Sequence, residues 1–127
     1  MDKLDQQIEQ FKKALIKLEE IVIIQKNDIV RDSAIKRFEI AVDLFWKMLK
    51  TYIEVSYGIV VNSPKTVIRE AYTQGLIEYE SSYLDLIDLR NETAHIYKEE
   101  VAEKVFNIIP KSIKLFRKVI KKIDQKK

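Results

Sequence analysis

Three observations predict an all-α fold. Only 2 Gly and 2 Pro stand among 127 residues, too few turn-formers for a chain of many short strands. Apolar residues recur at steps of three and four rather than in alternation. The composition, 46% hydrophobic and 34% charged, is that of packed helices with solvated outer faces, not of a disordered chain. Residues 1–127 suffice for a single domain, in which about two-thirds of the unfolded surface is buried.

The first helix is drawn by Leu4, Ile8, Phe11, Leu15, Leu18 and Val22, one apolar stripe along about six turns. Gln25 to Asp28 breaks the pattern, and Asn27 or Asp28 caps a second helix from about Ile29 to Ser56. In its second half the polar positions narrow to Asp43, Lys47, Lys50 and Glu54, and apolar residues fill the rest of the circumference. A helix this apolar is covered on more than one side. It either lies centrally in the bundle or meets another subunit, and in so small a domain the second is expected.

Gly58 to Asn62 forms a link. Ser63-Pro64 then gives a cap followed by a proline at the first helical position, where the missing N–H is not required. The short helix that follows runs to about Gln74, with Gly75 as its natural end. A fourth helix spans about Glu80 to Ala94, and a fifth starts at Glu99-Glu100, acidic residues suited to a helix N-terminus, and reaches about Ile123. Pro110 is expected to kink or divide it. Beyond Pro110, Lys111, Lys114, Lys118 and Lys121 form a basic stripe that reads first as a solvated face.

With no cysteine and one histidine, thiol chemistry is impossible and a zinc site is disfavoured; neither a metal nor a cofactor is expected. No phosphate loop, calcium loop or repeat occurs. No apolar run approaches the length of a membrane span and no secretory leader opens the chain, so a soluble cytoplasmic protein is expected. The net charge of +3 permits an anionic partner without requiring one.

Chemistry concentrates in Arg90-Asn91-Glu92-Thr93-Ala94-His95-Ile96-Tyr97, which holds the sole histidine. An imidazole can take and return a proton near neutral pH, and a guanidinium can brace a phosphate gaining charge. Together they suit metal-free phosphodiester cleavage. The plainer reading is a surface arginine, a histidine at a helix end and a packed tyrosine. Positions five apart on a straight helix lie about 140° from each other, so Arg90 and His95 do not share a face. They meet only if the helix ends near Ala94 or if two subunits each supply one member. Asn91, four before His95, does share its face and is a candidate to orient the ring.

This segment resembles the Arg-(four residues)-His-X-Tyr signature of HEPN-domain proteins, specifically the subgroup encoded beside minimal nucleotidyltransferases and known as nucleotidyltransferase substrate-binding proteins. Arg31 to Glu39, Leu44 to Lys50, and the segments from Ser63 and Ile68 resemble the same subgroup in the same order, with Phe45 standing where the family has a small residue. The resemblance implies an antiparallel four-helix bundle with an extra short helix, homodimeric, with the motif at the subunit interface. It implies an RNase toxin with Arg90 and His95 catalytic, Asn91 supporting, and Tyr97 adenylylated by a separately encoded nucleotidyltransferase antitoxin. The alternative is a non-catalytic subunit that presents a nucleotide or other substrate to that enzyme. A third is a helical dimer serving assembly alone.

Overall fold

The computed structural model describes residues 2–126, and among them helices are the only regular structure. Their order is α1 (Lys3–Val22), α2 (Asp28–Tyr57), α3 (Pro64–Thr73), α4 (Glu80–Glu92) and α5 (Glu99–Lys126), with a single 3-10 turn, Thr93–His95, after α4.

Local chemistry places the boundaries. Asp2 accepts from the Asp5 N–H and Asn27 from the Val30 N–H, both at 2.8 Å, so each side chain satisfies a donor that the first helical turn leaves free. Before α3, the Ser63 N–H donates to the Thr66 hydroxyl, and Pro64 takes the first helical position. Gly75, at φ +77°, ends α3: its N–H reaches Tyr72 O while Leu76 N–H reaches back to Ala71 O. That left-handed turn would strain any residue with a Cβ.

Ion pairs and ring contacts give the helix directions. Lys12–Asp124 and Arg117–Glu19 run α1 against α5. Arg90–Asp43 and the Phe45–Tyr83 ring pair run α4 against α2. Arg31–Glu103 and Phe45–Phe116 show α2 and α5 parallel across the middle. The bundle is therefore antiparallel between neighbours, with α1 and α4 at opposite corners and α3 packed on α2 and α4.

Four helices each contribute one ring to the centre. Phe45 of α2 lies 5.4 Å from Phe11 of α1, 5.0 Å from Phe116 of α5 and 6.0 Å from Tyr83 of α4, centroid to centroid. The first two pairs are tilted and the third is stacked, contacts that add to the burial energy of the rings. The Tyr83 hydroxyl donates to Leu115 O at 2.8 Å, which permits a tyrosine in the core, and burial pushes its pKa well above the usual phenol value.

Two expectations change. The wide apolar arc of α2 is explained within the chain: this helix packs against α1, α3, α4 and α5, and Ala41, Val42, Phe45, Met48, Leu49 and Ile53 are completely buried. Phe45 is thus core and no part of a subunit interface. Pro110 also fails to divide α5, which continues from Glu99 to Lys126. Its ring faces solvent, and the carbonyl it leaves without a donor, that of Phe106, lies on the same side of the helix. Val105, Ile109, Phe116 and Val119 pin the turns on either side into the core.

Candidate functional site

The motif begins on the last turn of α4. Thr93 closes that helix by donating its hydroxyl to Arg90 O at 2.6 Å, and the chain tightens into the 3-10 turn that carries His95. Lys98 N–H then bonds His95 O at 3.0 Å and α5 starts immediately. The expected change of helical path before His95 is therefore present. It does not bring the arginine to the histidine.

Arg90 turns instead to α2. Its Nε–H and one Nη–H donate to the two carboxylate oxygens of Asp43 at 2.8 and 3.0 Å, a bidentate fork, and Glu39 stands 3.2 Å from the same guanidinium. The hydrogen bond that Arg90 donates to Asp43 holds the guanidinium pKa above its ordinary value, against the smaller opposing effect of burial. Arg90 is thus permanently cationic, but two carboxylates already offset it. An incoming phosphate would have to displace Asp43 or share the cation with it, against repulsion from both acids.

His95 and Tyr97 form a separate, exposed pair. Their rings meet edge-on at 5.9 Å, and the Tyr97 hydroxyl lies 3.4 Å from His95 Nδ1, longer than an ordinary hydrogen bond. Tyr97 is 75% exposed. Asn91 is also exposed, and no hydrogen bond joins it to His95. Among the four residues singled out by the motif, the side-chain contact present is the one between His95 and Tyr97.

Sequence reasoning missed Glu39 and Asp43 as the partners of Arg90. They lie one turn apart on α2, so the face they share was readable; the helix that face would meet was not. It also missed Arg31, a buried guanidinium where α2 and α5 begin, paired with Glu99, Asp32 and Glu103. The clasp to Glu99 fixes the start of α5 two residues after Tyr97. Among the described residues no group of acids and histidine has the arrangement of a metal site, and no helix is long and apolar enough to cross a membrane.

Two clefts border these elements. One of about 550 Å³ lies between α4 and α5 and sets Asp85, Asp88 and Glu92 against Lys104 and Lys111. The other, about 420 Å³, lies between α1 and α2.

A search of curated proteins gives no match to this sequence. Among solved structures, a Thermus thermophilus protein is 34% identical, with 88% of this chain and 97% of that one covered at a TM-score of 0.84. A Haemophilus influenzae protein, described as revealing the fold of a substrate binding domain of a nucleotidyltransferase, is 25% identical; 92% of this chain and 98% of that one are covered at a TM-score of 0.83. The family model described as "nucleotidyltransferase substrate binding protein like" matches residues 6–125. Matched along nearly its whole length, the chain belongs to the nucleotidyltransferase substrate binding protein-like family.

Proposed function

We propose that this chain is the non-catalytic subunit of a two-component nucleotidyltransferase, holding a nucleotide or other substrate for a separately encoded enzyme. The observation that carries this reading is the filled guanidinium of Arg90. Its bidentate bond to Asp43, with Glu39 alongside, keeps the cation from bracing a phosphate beside His95. Family membership and the description of the Haemophilus influenzae relative point the same way. The test is co-purification with a minimal nucleotidyltransferase from the same genome, followed by calorimetric titration of nucleotides into the complex. Binding of a nucleotide by the complex, with no consumption of it by the isolated chain, supports the reading; failure to associate removes it.

A second reading is favoured by the open His95–Tyr97 pair: an RNase toxin controlled by modification of Tyr97. His95 would move the proton of a ribose 2′-hydroxyl or of the leaving oxygen, with Arg90 released from Asp43 to face the phosphate. A homodimer belongs to this reading: His95 of one subunit would face Arg90 of the other, once that arginine is released from its own Asp43. In the regulatory step the partner transfers adenylate from ATP to the Tyr97 oxygen, releasing pyrophosphate and the phenolic proton. The added phosphate repels RNA at the same exposed surface. RNA cleavage that persists in a chelator and disappears in His95→Ala selects this reading over the first.

A further inference from the structure

We propose that the groove between α1 and α2 binds a nucleoside polyphosphate, its phosphates held by Lys13, Lys17 and Arg37 and its nucleoside seated on Ala14, Ile40 and Leu44. The assignment deepens the binding role proposed above and rests on it for the class of ligand.

Charge is the first argument. The groove wall carries three cations and no carboxylate, whereas the larger α4–α5 cleft carries both signs. Lys13 and Lys17 stand one turn apart on α1, about 6 Å along the axis, and both are exposed. Neither has an ion-pair partner among the described residues. Two acids close by are committed elsewhere, Glu19 to Arg117 and Glu39 to Lys36 and Arg90. Three cations lining one groove repel one another, and a compact polyanion lowers that cost.

Preorganisation is the second. One Nη–H of Arg37 donates to the Lys17 backbone carbonyl at 2.7 Å, a neutral acceptor that sets the guanidinium in place without cancelling its charge. The remaining N–H groups of its five are available to phosphate oxygens. Arg90 shows the opposite arrangement, with its charge spent on Asp43.

The third is the shape and polarity of the floor. Ile40 is 43% exposed although it lies between two helices, leaving an apolar surface for a base or ribose to cover. Gln10, which also lines the groove, carries an amide able to both donate to and accept from a base edge. The volume of about 420 Å³ falls within the range of small-ligand sites. An acidic peptide would answer the lysines, but its charges are spread along an extended chain. A polyphosphate concentrates them within reach of one helical turn.

Titration of ATP, tripolyphosphate and adenosine into the full chain, compared with the Lys13→Glu/Lys17→Glu variant, tests this. ATP should bind more tightly than either fragment, and the double variant should lose at least tenfold in ATP affinity with its circular dichroism unchanged. Ile40→Asp should weaken ATP more than tripolyphosphate. Equal binding of tripolyphosphate and ATP would overturn nucleoside recognition, and ATP affinity untouched by the double variant would overturn the groove. Stronger competition by an acidic peptide, or a dimer that the charge reversal splits, would assign the surface to a protein partner instead. If ATP affinity is untouched in the double variant while the wild-type chain still co-purifies with the nucleotidyltransferase, the groove fails and the proposed function stands.

Discussion

Asp43 determines what Arg90 is free to do. Because the pair is part-buried and bidentate, solvent screens it only partially, and a double-mutant cycle over Arg90→Met and Asp43→Asn should give a coupling of about 1 kcal/mol by urea unfolding. Zero coupling would mean that the fork does not hold α4 to α2 in solution. At the other charged cluster, Lys26 and then Arg31 hold the Glu103 carboxyl below its ordinary pKa. A depressed folded pKa stabilises fully above the unfolded value and is lost as pH falls through the folded one. The urea midpoint should therefore decline as pH drops below the ordinary glutamate range, and decline less steeply in Glu103→Gln. Neither cluster was legible in the sequence. Arg90 and Asp43 lie on helices joined only through α3, and nothing local marks Arg31 as buried rather than solvated.

Helix boundaries were legible because the residues that set them lie within four positions of the ends they cap. Asn27, Ser63-Pro64 and Gly75 act through backbone groups in the next or preceding turn, and the observed ends fall close to the expected ones. Pro110 does not divide α5, because packing holds both flanking turns where a local rule would end the helix. Its local cost persists, however. Pro110→Ala should stabilise the protein by about 1–3 kcal/mol by restoring the donor to Phe106 O, read as a raised urea midpoint. No gain would show that the proline's rigidity already offsets the lost bond. In the core, Tyr83→Phe removes the bond to Leu115 O yet leaves that carbonyl its helical partner, so a loss of about 1 kcal/mol is expected.

At the scale of the whole molecule, the all-α bundle followed from periodicity, but the place of each helix within it did not. The apolar circumference of α2 fits burial among four neighbours as well as burial at a dimer interface, and only the tertiary arrangement separates the two. The apolar arc of α2 therefore no longer argues for a homodimer, and multi-angle light scattering showing a monomer at micromolar concentration would remove the dimer together with the toxin reading that needs it. Phe45→Ala should cost about 3–5 kcal/mol without bearing on association, because it opens a hole where rings from four helices meet.

The central position of α2 also governs amide hydrogen exchange. A peripheral helix can detach by giving up one or two interfaces, but the stretch from Ala41 to Ile53 is released only when every interface parts. Its slowest amides therefore exchange through global unfolding and act as an internal gauge of total stability. A ligand that binds only the folded chain raises their opening free energy by RT ln(1 + [L]/Kd) wherever it docks, while amides in a fraying terminal turn respond only to what touches them. Exchange rates along this one helix thus give an affinity for any candidate ligand before its site is known.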